Sequence, residues 1–278
     1  MEAKQIGLAC WGLREEPLKT QLKMANDLGV KFLEISIANS PNDIKLSADD
    51  NEIAQVRALY EENGLSINYA ATGNDFTLES AEEVAHEVEK VKRVIAICSR
   101  LHCTHLRIFA GFSAADQVTG KRFEILSGAM YEVARTAREA GICLVVELHG
   151  GVNSYKQGVE HFHSVTTRKD KLLSLLEVLP SDVRFLLDPA NLWAVGITDP
   201  QEYYFMLQER IAYMHCKDFV RIPNGLVLPS ACGTGELDWQ QFFKTAAAFK
   251  GALLVEYENP HDVELGMRES IDFIRCAL

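Results

Sequence analysis

GICLVVELHG, residues 141–150, decides the fold. The run from Cys143 to Leu148 is apolar on both alternating faces except at Glu147, the texture of a strand buried inside a parallel sheet. Gly141 stands between that run and an amphipathic helical stretch over 123–140, where a left-handed helix cap is expected. The same alternation continues in both directions. Helical spacing is found over 18–28, 53–60, 84–99, 171–179, 202–210, 239–249 and 265–277. Short apolar runs precede these segments at 5–10, 32–37, 66–69, 105–109, 184–187, 212–215 and 252–257. Gly29 and Gly64 punctuate two further helix-to-strand joints. Eight strand–helix units with no intervening Pro- or Gly-rich linker, and no GxGxxG phosphate fingerprint, predict an α/β chain forming one closed (β/α)8 TIM barrel over residues 1–278.

Composition agrees with a globular chain and narrows its partners. Of 278 residues, 47% are hydrophobic, and 28 Lys plus Arg stand against 39 Asp plus Glu, a net charge of −11. That balance argues against a nucleic-acid surface, which needs a basic face. No apolar run is long enough to span a bilayer, so no membrane association is expected. Charge at Arg14 and Glu15 interrupts the first residues before any signal-peptide core develops. Seven cysteines without a CxxC pair fit a reducing, cytoplasmic compartment better than a disulfide framework. Two connections, 149–167 and 219–237, are longer than a barrel needs and leave strand C-termini, where barrel enzymes place their chemistry. Both are expected to be lids or substrate loops.

Strand parity points to a cluster. Cys143, Val145, Glu147 and His149 share one side of their strand; Arg184, Leu186 and Asp188 share another; Tyr213, His215 and Lys217, then Leu254, Glu256 and Glu258, complete the series. In four consecutive barrel strands a metal-competent side chain ends an apolar run: Glu147, Asp188, His215 and Glu256. A single carboxylate at such a place is usually a helix cap. Four on one rim are expected to converge, and three carboxylates side by side raise one another's pKa unless a cation compensates. Three oxygen donors and an imidazole suit one divalent ion: Mn²⁺, Mg²⁺, Co²⁺ or Zn²⁺, with Mn²⁺ favoured.

The segments VVELHGG (145–151), LLDPANL (186–192), MHCKDFVR (214–221), CGTGELDW (232–239) and GALLVEYE (251–258) resemble the sugar phosphate isomerase/epimerase superfamily of xylose-isomerase-like barrels, which includes ketose 3-epimerases, hydroxypyruvate isomerases and inosose dehydratases. The resemblance implies that Glu147, Asp188, His215 and Glu256 bind the metal and that Glu147 and Glu256 transfer the proton. It implies that Asn191 and Arg221 contact substrate, although the epimerases usually carry histidine at the position of Asn191. It further implies a small carbohydrate substrate, and a homo-oligomer is a family-level expectation. The activity implied is metal-dependent isomerisation or epimerisation of a sugar, sugar phosphate or keto-polyol through an enediolate. The alternative is a lyase that dehydrates a keto-polyol or a cyclic keto acid such as an inosose or dehydroshikimate.

Other residues carry weaker signals. His149 shares the parity of Glu147 and is expected either near substrate or as a capping or loop histidine; Lys217, two residues past His215, is expected near substrate unless it pairs with Asp188 or Glu258. Arg107 and Glu34 end their strands with inward parity, as substrate-proximal groups or as an ion pair that closes the barrel. Trp11 is expected either to stack on a sugar or to pack at the barrel mouth. His161 and His163 are expected in a surface loop, and CGTGELDW is expected to be a turn with Asp238 capping the next helix rather than a phosphate loop.

Overall fold

The computed structural model describes residues 5–278; the first four residues of the expected 1–278 domain lie outside the described residues. Among the described residues thirteen strands form two sheets: β1 (Ile6–Leu8), β2 (Phe32–Leu33), β3 (Ile35–Ser36), β4 (Tyr69–Ala71), β5 (His105–Ile108), β6 (Cys143–Glu147), β7 (Gly151–Tyr155), β8 (Gly158–Phe162), β9 (Arg184–Leu187), β10 (Ile211–Cys216), β11 (Asp218–Arg221), β12 (Val227–Ser230) and β13 (Leu253–Val255). The larger sheet is parallel, in the order β2-β1-β13-β10-β9-β6-β5-β4-β3. Its two ends, β2 and β3, are halves of one expected strand interrupted at Glu34. β2 pairs with β1 while β3 pairs with β4, so this single segment closes the ring, and the α/β TIM barrel expected from the sequence is the fold.

Helices follow the strands over Leu18–Asp27, Asp50–Glu62, Ala81–Leu101, Lys121–Glu139, Lys169–Val178, Gln201–Leu207, Trp239–Thr245 and Val263–Ala277. Their inner faces bury Val, Ile and Leu against the outside of the barrel, and this layer is the main core. Inside the ring a second, smaller cluster of Ala9, Phe32, Tyr69, Val145, Leu186, Tyr213, Ala252 and Leu254 fills the lower barrel. Val145, Leu186, Tyr213 and Leu254 carry the inward parity read from the sequence, so the next inward positions along those strands emerge at the C-terminal rim.

Three features depart from expectation. The third barrel strand is Tyr69–Ala71 rather than 66–69, because its register is set by β5 through Tyr69–His105, Ala70–Leu106 and Ala71–Arg107; alanine has little intrinsic strand preference to announce this. A helix not anticipated from the pattern, Pro189–Ala194, follows β9 directly. Most substantially, the two long connections are themselves structured. They form a four-stranded antiparallel sheet, β11-β12-β8-β7, joined where Val227 pairs with Val159. Among the described residues no helix is long and apolar enough to cross a membrane.

Candidate metal centre

The rim cluster follows from the way each strand ends. Glu147 is the last residue of β6, Asp188 follows β9, His215 lies near the end of β10 and Glu256 follows β13. All four are buried, and one donor atom from each lies within 4.8 Å of the others. Asp188 serves both roles weighed from the sequence: Oδ1 accepts from the N–H groups of Ala190 and Asn191, capping the helix Pro189–Ala194, while Oδ2 faces the cluster. In the sheet, β9 and β10 lie between β6 and β13. The two glutamates therefore flank the aspartate and the histidine.

The electrostatics are those of a site short of positive charge. His215 Nδ1 lies 3.6 Å from Glu256 Oε2, 3.9 Å from Glu147 Oε1 and 4.0 Å from Asp188 Oδ2. Neither ring nitrogen has a hydrogen-bond partner although the residue is fully buried. Burial disfavours the imidazolium, but the carboxylates around it outweigh burial and raise its pKa to about 9. Burial pushes Asp188 up to about 6 and also raises Glu147, against the pull of Arg107. Glu256 is held well below the usual carboxylate range, because Lys217 and His215 overcome its burial. An orphaned buried imidazole among three carboxylates fits a divalent cation, which would meet oxygen donors from Glu147, Asp188 and Glu256 and a nitrogen from His215.

Lys217 turns toward this cluster. Its Nζ donates to Glu256 Oε2 at 2.6 Å and Glu258 Oε1 at 2.8 Å, and lies 3.3 Å from Asp188 Oδ2. The next residue does different work: buried Asp218 accepts from the N–H groups of Phe219, Gly233, Gly235 and Leu237, and so folds the 232–239 segment back on β11. Gly235 is needed there, since a Cβ would come 2.2 Å from Asp218 Oδ1. Asp238 accepts from Gln241 N–H, the expected cap.

Asn191 lies at the cluster. Its Nδ2 donates to Glu147 Oε1 at 3.1 Å and to the Leu148 carbonyl at 3.3 Å, while the buried Oδ1 has no partner. His149 is placed beside the rim, its ring edge-on to Phe109 and Phe112 and its Nδ1 2.5 Å from the Gly150 carbonyl. Burial and the nearby Lys217 ammonium lower its pKa to about 4, so the ring is neutral. Arg107 stands apart from the other expected substrate contacts. Its guanidinium is buried below the rim, with Nε 3.3 Å from Glu147 Oε2, Nη2 3.8 Å from Glu34 Oε2 and Nη1 donating to the Thr72 carbonyl.

Arg221 lies at the end of β11, outside the cluster. It stacks on the Trp193 ring at 4.7 Å and donates to the Gly225 carbonyl. With His161, Trp193, Gly196 and Thr198 it lines an open cavity of about 390 Å³. His161 belongs to β8, not to a surface loop, and its ring packs 5.4 Å from Phe219. The participation of His161 and Trp193 went unread because pairing between two distant loops places them; a neighbour pattern carries no sign of it. Trp11 is exposed and holds the guanidinium of Arg14 over its face.

A family model described as xylose isomerase-like TIM barrel matches residues 22–276. No curated protein matches the chain. Among solved structures, the probable 3-DHS dehydratase AsbF of Bacillus anthracis superposes with TM-score 0.76 at 12% identity, covering 98% of each chain. A xylose isomerase-like TIM barrel protein of Mycobacterium smegmatis in complex with magnesium gives 0.75 at 15% identity, covering 99% of this chain and 96% of its own. The D-allulose 3-epimerase of a Methylomonas species gives 0.74 at 15% identity, covering 99% of both.

Proposed function

The chain belongs to the xylose isomerase-like TIM barrel family, and on that premise we propose that it is a divalent-metal-dependent isomerase or epimerase of a small sugar, sugar phosphate or keto-polyol. The family holds sugar isomerases and epimerases together with some dehydratases. The observation that carries the reading is the buried cluster of Glu147, Asp188, His215 and Glu256, in which two glutamates flank a histidine left without hydrogen bonds. These four would hold the ion, Mn²⁺ by preference. Bound there, a divalent cation would polarise a ketone and offset the negative charge that develops when the neighbouring C–H is deprotonated.

The residues do the rest. One glutamate takes the proton α to the carbonyl, and the other returns a proton to the resulting enediolate. Return to the same carbon from the opposite side inverts it; return to the neighbouring carbon converts ketose and aldose. Asn191 and Arg107 each hold one oxygen of Glu147, so this carboxylate arrives at the substrate already oriented. Lys217 supplies an N–H donor beside Glu256 for a substrate oxygen. Arg221 and His149 receive the remaining hydroxyls or a phosphate. The alternative is loss of a β-hydroxyl from the same enolate; Asn191, where the resemblance leads one to expect the histidine of ketose epimerases, weighs against a ketohexose epimerase.

Proton NMR in D₂O with ketoses, inososes and keto acids tests the reading. Metal-dependent deuterium gain without loss of mass is the expected result, and loss of water identifies a dehydratase. No exchange from any of these substrates, with Mn²⁺, Mg²⁺, Co²⁺ or Zn²⁺ present, would refute both.

A further inference from the structure

Glu34 is a fully buried carboxylate at the break in the strand that closes the barrel. Packing alone does not ask for a charge there, since its neighbours along the strand, Leu33 and Ile35, are apolar core. Two of its neighbours, Arg107 and His215, connect it to the rim. Its Oε1 accepts from the Tyr213 hydroxyl at 3.0 Å, and its Oε2 accepts from Cys10 N–H at 3.3 Å and from Cys10 Sγ at 3.1 Å. Arg107 lies 3.8 Å from Oε2 and reaches on to Glu147. On its other side Glu34 Oε1 lies 4.0 Å from His215 Nε2.

That last approach matters because His215 is sandwiched. Nδ1 faces Glu256, Glu147 and Asp188, and Nε2 faces Glu34. A neutral imidazole that offers one nitrogen to a cation must keep its proton on the other, and a buried N–H needs an acceptor. We propose that Glu34 is the positioning residue of this centre: its carboxylate, facing Nε2 at 4.0 Å without a direct hydrogen bond, favours the His215 tautomer that keeps the proton on Nε2 and leaves Nδ1 free for the ion, and through Arg107 it ties that choice to the orientation of Glu147. The proposal rests on the metal-dependent reading above. It explains why Glu34, Arg107 and the Tyr213 hydroxyl form a buried polar layer between the apolar filling of the lower barrel and the rim. Partners of this kind around a ligating histidine typically change metal affinity by about 10- to 100-fold.

The test uses Zn²⁺ alone, with calorimetry for affinity and ¹⁵N NMR of the His215 ring for the tautomer, on wild type, Glu34→Gln and Glu34→Leu. The wild-type protein is expected to bind Zn²⁺ with His215 protonated at Nε2 and metal at Nδ1. Glu34→Leu should bind about 10- to 100-fold more weakly and lose the protected Nε2–H signal, while Glu34→Gln, which keeps an acceptor but not the charge that engages Arg107, should fall between. If Glu34→Leu does not fold, Glu34→Gln and the wild-type tautomer decide. Affinity in a folded variant within twofold of wild type, or a Zn²⁺-bound wild-type ring protonated at Nδ1, overturns the proposal and leaves the metal-dependent reading standing. A wild-type protein that binds no Zn²⁺, Mn²⁺, Mg²⁺ or Co²⁺ brings down both.

Discussion

The barrel rim and the antiparallel sheet beside it come from the same chain segments, yet they are built on opposite principles. Glu147, Asp188, His215 and Glu256 sit at the ends of short, fully paired parallel strands, with at most 3% of any of them exposed. The two glutamates are themselves anchored, Glu147 by Arg107 and Asn191, Glu256 by Lys217. The sheet of β7, β8, β11 and β12 is mostly half-buried or exposed; Val152, Tyr155 and Leu228 stand in solvent, and a lone Val227–Val159 pair joins its two hairpins. A rigid, desolvated rim suits proton transfer, which tolerates little misplacement. A sheet with few buried contacts opens at low cost, as a surface beside a binding site needs to. On the proposed function, chemistry falls to the barrel and recognition to the loops.

The sharpest way to break this division is to alter the rim without changing its shape. Glu147→Gln and Glu256→Gln should each lower turnover by about 10²- to 10⁴-fold, measured as product formed, with the fold retained by circular dichroism. In an epimerase, each variant should still exchange the substrate proton on the one face its remaining glutamate serves. Full turnover in both variants would make the glutamates structural.

Next in size is the separation of metal binding from proton handling. His215→Ala should weaken Mn²⁺ or Zn²⁺ binding by about 10-fold or more, in line with the effects seen around metal-bound histidines. Lys217→Ala should leave that affinity nearly intact and lower kcat, since the ammonium neighbours the carboxylates without being a metal donor. Calorimetry paired with steady-state kinetics separates the two. A large loss of affinity in Lys217→Ala would move it into the metal site.

The recognition side should respond more mildly. Arg221→Lys keeps the charge but loses the planar donor stacked on Trp193, and kcat/KM should fall about tenfold, on the order of 1.4 kcal/mol. Unchanged kinetics would return Arg221 to surface charge. The smallest expected effect is on pH. Burial, with His149 and Lys217 close by, lowers His161 to about 3, below the roughly 6.5 of an unfolded histidine. The stability this gives is complete above pH ~6.5 and is lost as pH falls from there toward about 3. Once the intrinsic pH dependence of amide exchange is divided out, protection across β8 and β12 should therefore fall between pH 7 and 5 more than protection in β6 or β10, and His161→Phe should flatten the difference.

How much of this was readable from residues divides along the same line. The alternating apolar runs determined the barrel, because a strand covered on both faces must be apolar wherever it lies. The fixed period of two along a strand brought Glu147, Asp188, His215 and Glu256 to one rim with no knowledge of distances. The Asn191 amide on Glu147 depends on a six-residue helix that begins at the cap of Asp188, a local turn whose packing the pattern does not contain. Arg107 and Lys217 were ambiguous between substrate and salt bridge until the ring closed around them. The antiparallel sheet, and with it His161 and Trp193 beside Arg221, was decided only in three dimensions. Its pairing joins segments some seventy residues apart, about the span from Val159 to Val227, and such long-range pairing leaves no periodic trace in either partner.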